Sequence, residues 1–260
     1  MKKQLTTFVI ASLVTLVSLT PLNVNAVEDK IYTINSVTEL KEEIASMDIN
    51  SDDHDQNREK LLYDTDPKVL EEYQKEVSIE VSKKIEDLAD ETNLEINTEN
   101  NSGMTKHETI QLEDGSVLEV IVSDVPVIEK TMMRASATYN YGSRSYSVKT
   151  RVKHILYPDG WTGLVTYYKI GKSGLTAESS STVGTTGVFP LQISKSSKLT
   201  DKRAEKVGYD INAQGDYTLT WVGYNGIGLV SYDRTIISSV KLTKLTSTNA
   251  TVSTSYKQYE

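Results

Sequence analysis

Beyond Ala135 the chain carries no apolar spacing that would sustain a helix past a turn or two; it reads instead as short runs rich in Val, Ile, Thr and Tyr. They span 137–141, 145–157, 161–170, 175–183, 188–193, 206–211, 217–224, 229–239 and 246–256. Turn residues separate them: Pro158, Asp159 and Gly160, then 171–174, 184–187 and 212–216, then Asn225 with Gly226. In the clearest run Tyr146, Val148, Thr150, Val152, His154 and Leu156 alternate with Ser145, Ser147, Lys149, Arg151 and Lys153. A period of two sends one set to a core and the other to water, so the strand has an apolar and a cationic face. Strands at this spacing predict an antiparallel β-sandwich or barrel of about eight or nine strands. The piece 198–206 is the least strand-like and is expected as a loop or one helical turn.

Cysteine is absent, which removes disulfides, Cys-ligated metals and thiol nucleophiles from consideration. Stability must come from packed cores. The first residues read as a secretory signal peptide over 1–26: Lys2 and Lys3, an apolar run over 8–19, Pro21, and a small-residue end at Ala26. The run is shorter than the about 20 residues that span a bilayer. The expected product is a secreted protein, and a cysteine-free exported chain fits a bacterial source.

The formal net charge of −8 conceals a split: residues 27–131 carry −18 and residues 132–260 carry +8. Both tryptophans and 12 of the 15 tyrosines lie in the basic part. The expected organisation is therefore an acidic helical segment with a β-hairpin over 27–131, a candidate pro-region, followed by a basic, Tyr-rich β-sandwich domain over 132–260. The whole is mainly β with an N-terminal α+β segment. Opposite charges of this size predict an intramolecular contact between the halves. Lys130 and Arg134 sit at the change of sign and are candidate processing sites.

Within the acidic part, Ser36 with Glu39 reads as a capping box for a short helix bearing Val37, Leu40, Ile44 and Met47. Asp66 and Pro67 open a second helix, whose stripe Leu70, Tyr73, Val77, Val81, Ile85 and Leu88 faces a core. Between them, 48–59 places Asp48, Asn50, Asp52 and Glu59 at calcium-loop positions, but Asp53 replaces the required Gly and Asp55 stands where an apolar residue belongs. It is read as a solvated loop. The Asn-rich stretch 93–102 is expected as a linker. Then Ile110, Leu112, Leu118, Val120 and Val122 flank Asp114 and Gly115 and predict a hairpin.

No cofactor or metal motif is present. His54, His107 and His154 lie in separate segments, and Gly171, Lys172 and Ser173 lack the preceding glycine of a phosphate loop. A nucleophile elbow is missing too. Asp159, Asp210, Asp216 and Asp233 are the acidic candidates for a glycan-acting hydrolase, though predicted turns already explain them. The favoured expectation is a non-enzymatic protein whose basic β-domain contacts an anionic envelope polymer or membrane surface. Its candidate residues are Lys149, Arg151 and Lys153, with Trp161, Tyr167, Trp221 and Tyr224 as an aromatic platform. A bacteriocin-like antibacterial protein with an acidic pro-region is its sharper form. A structural or matrix protein is the remaining alternative. Nucleic acid is not an expected partner of an exported chain.

Overall fold

A computed structural model of the chain describes residues 32–47, 53–99, 102–127, 141–157, 160–184, 191–221 and 230–259. Three helices come first: α1 (Val37–Ser46), α2 (His54–Asp64) and α3 (Pro67–Thr92). Ser36 caps α1 by accepting the Glu39 N–H at 3.2 Å, and the Glu39 carboxylate accepts the Asn35 N–H at 3.0 Å, so two otherwise orphaned donors are satisfied. Asp66 caps α3 through the Lys68 N–H at 2.8 Å, with Pro67 at the first helical position. The predicted stripe on α3 is buried from Leu70 to Leu88. Burying each Val, Leu or Ile of that stripe contributes about 1.5–3 kcal/mol.

Helix α2 replaces much of the expected acidic loop. His54 to Glu59 lie inside it, and its Leu61 is buried at 7% exposure. A continuous helix cannot wrap six oxygens around an ion, so Glu59 is not the closing ligand of a calcium loop. The residues of that motif before Asp53 lie outside the described residues. Part of the expected linker is likewise ordered: β1 (Leu94–Asn97) alternates buried Leu94 and Ile96 with exposed Glu95 and Asn97.

The remaining strands are β2 (Met104–Gln111), β3 (Val117–Pro126), β4 (Gly142–Lys153), β5 (Gly160–Gly171), β6 (Gly174–Gly184), β7 (Leu191–Asp201), β8 (Arg203–Ala204), β9 (Asp210–Trp221), β10 (Val230–Leu245) and β11 (Ala250–Tyr259). They form two antiparallel sheets, one ordered β2-β3-β4-β5-β6-β8 and the other β1-β11-β10-β9-β7. The sheets face each other as a sandwich, which bears out the expected class. Direct hydrogen bonds cross between them: Thr166 with Ser238 at 2.6 Å, Arg234 to Thr162 at 2.7 Å, and Thr150 with Gln258 at 3.0 Å. One apolar core runs from Leu40 and Tyr73 through Val120, Tyr146 and Leu164 to Ile236 and Val252.

The charge boundary near Thr131 falls between neighbouring strands. β3 from the acidic part pairs with β4 from the basic part over ten residue pairs, Val117↔Lys153 to Pro126↔Arg144. β1 pairs with β11 in the other sheet. Both sheets therefore take strands from both sides of the charge boundary.

Three strand readings are corrected, the first being the expected strand 206–211, which is bend and turn through Gly208 with β9 starting only at Asp210. The expected turn 212–216 is the interior of β9, which pairs without interruption with β10 from Asp210 to Trp221. Its turn-forming residues are used differently there. Asn212 and Asp216 point outward and bind Ser239 and Thr235, while Gly215 points inward, where a Cβ would meet Leu164 Cδ1 at 3.1 Å. Close packing of the two sheets explains that glycine. The expected loop 198–206 is instead the end of β7 followed by β8.

Candidate functional site

The stretch that suggested a cationic stripe forms β4, the third strand of the six-stranded sheet. It ends at Lys153, and the chain bends through His154 to Tyr157. His154 thus leaves the strand face expected for it. Its ring sits edge-on to Tyr157 at 5.7 Å between centroids, and Tyr157 packs under α3 against Tyr73 at 6.2 Å. Along β4 itself the alternation holds apart from Ser147, which is buried: Tyr146, Val148, Thr150 and Val152 are buried, and Lys149 and Lys153 are exposed.

Cross-strand register decides which side chains share the outer face. One row is Thr109, Glu119, Arg151 and Trp161; the next is His107, Ile121, Lys149 and Gly163. Lys153 lies beside Val117, and Lys169 beside Ser143. On β2 to β5 this face carries four cations, Lys149, Arg151, Lys153 and Lys169, against the single carboxylate Glu119. That carboxylate is a shared partner: Lys153 Nζ reaches it at 2.5 Å and Arg151 at 3.8 Å. Glu119 belongs to the acidic part of the sequence. Lys149 has no ion-pair partner among the described residues.

Arg151 also lies over the Trp161 ring, 5.6 Å from its centroid, a cation–π contact in register across β4 and β5. One row thus joins a carboxylate, a guanidinium and an indole. The next row depends on Gly163, where a Cβ would meet the Val148 carbonyl oxygen at 2.5 Å and Lys149 Cγ at 2.9 Å. Only glycine leaves room for the Lys149 stem to cross β5 at this point, beside Trp161. The Gly163 N–H donates to Tyr217 Oη at 2.9 Å, fastening the row to the opposite sheet.

Of the four aromatics expected as a platform, Trp161 and Tyr167 share this face. They lie six residues apart on one strand, about 20 Å at the usual rise. Tyr167 stands beside Ser145 and Ser179 and is 37% exposed. Trp221 ends β9 in the other sheet, and Tyr224 lies outside the described residues. Tyr168 and Tyr217, neighbours of these residues in sequence, are buried. Lys130 and Arg134 also lie outside the described residues. Sequence reasoning missed Glu119, Gly163 and Lys169. Their outward parity was legible, but their juxtaposition with Lys149 and Arg151 needs the register.

The acidic candidates are dispersed. Asp216 accepts from Gln214 at 2.7 Å and Thr235 at 3.0 Å, and Asp233 accepts from Thr218 at 2.7 Å, all on the outer face of the five-stranded sheet. Asp159 is outside the described residues. Among the described residues no cluster of three or more His, Asp or Glu side chains could hold a metal, and no helix is long and apolar enough to cross a membrane.

A different group, unmarked in the sequence, holds a buried ion pair. Arg144 Nε donates to Asp124 Oδ1 at 2.6 Å, Tyr168 Oη donates to Asp124 Oδ2 at 2.6 Å, and Arg144 also reaches the Ser102 carbonyl at 3.0 Å. Burial pushes the Asp124 carboxyl up from its ordinary range, while Arg144 and Tyr168 pull it back down. The Tyr168 phenol is raised well above its ordinary value, first by burial and then by the Asp124 charge. This triad ties β3, β4 and β5 together beneath the basic face. Comparison with known protein families, with curated proteins and with solved structures returns no match.

Proposed function

We propose that this is an exported bacterial binding protein, without chemistry of its own on its ligand, that holds an anionic polymer or membrane surface of a cell envelope against the outer face of its six-stranded sheet. The observation that carries the reading is the register that gathers Lys149, Arg151 and Lys153 around one carboxylate, with Trp161 in line with Arg151 and Lys169 farther along the same face of β5. A flat cationic face suits a repeating anion better than a small ligand, which prefers a concave site. At about 1 kcal/mol per basic residue near an anionic surface, a net of three charges gives roughly a hundredfold enrichment at low salt. Repetition along a polymer multiplies that through effective concentration.

The pro-region idea takes a modified form. A cut at Lys130 or Arg134 would fall between β3 and β4, whose ladder spans ten residue pairs. Processing there would nick the protein and leave the acidic strands in place, so unmasking by release is not its mechanism in this reading.

Co-sedimentation of the full chain with phosphatidylglycerol vesicles, phosphatidylcholine vesicles and poly(glycerol phosphate), at low and high salt, tests the function. The expected result is salt-sensitive binding to the anionic probes, lost in the triple variant Lys149→Glu, Arg151→Glu, Lys153→Glu with its circular dichroism unchanged. Absence of binding at low salt, or equal binding by the variant, overturns it.

A further inference from the structure

We infer that the groove between α3 and the last residues of β11 binds an extended peptide by strand addition, with an acidic residue of the peptide answering Lys83 and Lys257. This site is separate from the cationic sheet face and does not rest on it. β11 lies between β10 and β1, but β1 is four residues long and pairs with Thr251 to Thr254 only. Past Thr254, β11 continues to Tyr259 with β10 on one side and no strand, among the described residues, on the other.

The parity of that edge is fixed by its hydrogen bonds. The Thr98 N–H donates to the Ala250 carbonyl at 3.0 Å, and in the same ladder Ile96 stands opposite Val252 and Leu94 opposite Thr254. Even residues of β11 therefore turn their backbone groups toward the β1 side, and alternation places those of Tyr256 facing the groove. A backbone edge of this kind is a template for another strand.

The opposite wall is α3, contributing Ile79, Lys83 and Glu86. The space between encloses about 820 Å³, within the range of ligand-binding clefts. An edge strand beside a helix is a recurrent geometry for gripping an extended peptide, where main-chain hydrogen bonds supply affinity and side-chain contacts supply specificity. Ile79 is 61% exposed and Tyr259 52% exposed, so each offers an apolar contact for alternate side chains of a guest.

Charge selects the guest. Among the described residues, Lys83 and Lys257 are exposed and have no ion-pair partner, and Glu86 is the one carboxylate lining the groove. Antiparallel pairing of this edge with a second copy would bring one Lys257 near the other, a like-charge contact that disfavours self-association. A carboxylate-bearing strand meets no such penalty.

The test is selection of random heptapeptides on the full chain, followed by titration of a synthesised binder. Selected peptides are expected to carry one Asp or Glu among alternating β-branched or aromatic residues. N-methylation at alternate positions should weaken binding at least about tenfold in one parity and little in the other, because only one parity meets the β11 edge. Lys257→Glu, folded to the same thermal midpoint, should weaken it by about tenfold. The inference is overturned if no peptide is selected, if N-methylation has no parity, if Lys257→Glu binds equally, or if the full chain instead dimerises through this edge.

Discussion

Asp124 on β3 and Arg144 on β4 meet at 2.6 Å with side-chain exposures of 0% and 2%, and Tyr168 on β5 holds the other carboxylate oxygen. Removing one charge from such a pair strands the other in a low-dielectric site, which costs about 3–5 kcal/mol. Arg144→Met is therefore expected to destabilise severely, and the double variant Asp124→Leu, Arg144→Met to recover a large part of the loss. Urea unfolding of the singles and the double, taken as a cycle, measures it. Simple additivity of the two single losses would contradict the coupling.

Tyr73 is fully buried on α3, and its hydroxyl donates to Asp114 in the β2–β3 turn, which also accepts the Ser116 N–H at 2.8 Å. Tyr73→Phe removes the donor that links α3 to the hairpin without changing the packed ring. A loss of about 1.5–3 kcal/mol is expected for a bond to a charged acceptor. Denaturant midpoints of the variant and parent measure it, and identical midpoints would count against this link.

Burial raises the phenols of Tyr73, Tyr146, Tyr168, Tyr217 and Tyr256 above the ordinary 10.0. In each case the folded value exceeds the unfolded one. Their contribution to stability is thus present in full below pH 10 and declines as the pH rises past it. Absorbance titration of the tyrosines checks this. The buried set should ionise only with the cooperative loss of near-ultraviolet circular dichroism. A single smooth titration of every tyrosine without unfolding would be the opposite result.

Glu119→Gln removes the carboxylate shared by Arg151 and Lys153. If the outer face is an anion-binding surface, the variant binds phosphatidylglycerol vesicles more tightly, by about fivefold at low salt from roughly 1 kcal/mol per charge. The gain should vanish at high salt as screening takes over. Unchanged or weakened binding would place the interacting surface elsewhere.

Gly163 gives an independent check on the packing of that face. With the Val148 carbonyl oxygen 2.5 Å from where a Cβ would stand, Gly163→Ala forces β4 and β5 apart. Overpacking of this kind costs about 1–3 kcal/mol. Thermal denaturation of the variant should show that loss, whereas Gly171→Ala, where nothing stands within 4 Å, should not.

The alternation of Tyr146, Val148, Thr150 and Val152 with Ser145, Ser147, Lys149 and Arg151 was enough to assign β4, its two faces and, with the other runs, a β-sandwich. The caps at Ser36 and Asp66 likewise placed α1 and α3, because a cap and an apolar stripe are local properties. Local chemistry misled where a distant partner had the final say. Asn212, Gly215 and Asp216 are turn formers, yet they lie within β9 because Ser239, Leu164 and Thr235 occupy their surroundings. Leu94 and Ile96 became strand only because β11, more than 150 residues later in the chain, supplies the ladder. The same division holds for the two surfaces proposed to bind. Sequence determined that Lys149, Arg151 and Lys153 lie on the outward face of their strand. Register alone decided that Glu119 stands beside two of those cations and Trp161 beside one. The early end of β1 alone decided that no strand among the described residues pairs with the last residues of β11 on that side, since pairing between strands depends on contacts that no single stretch of sequence contains.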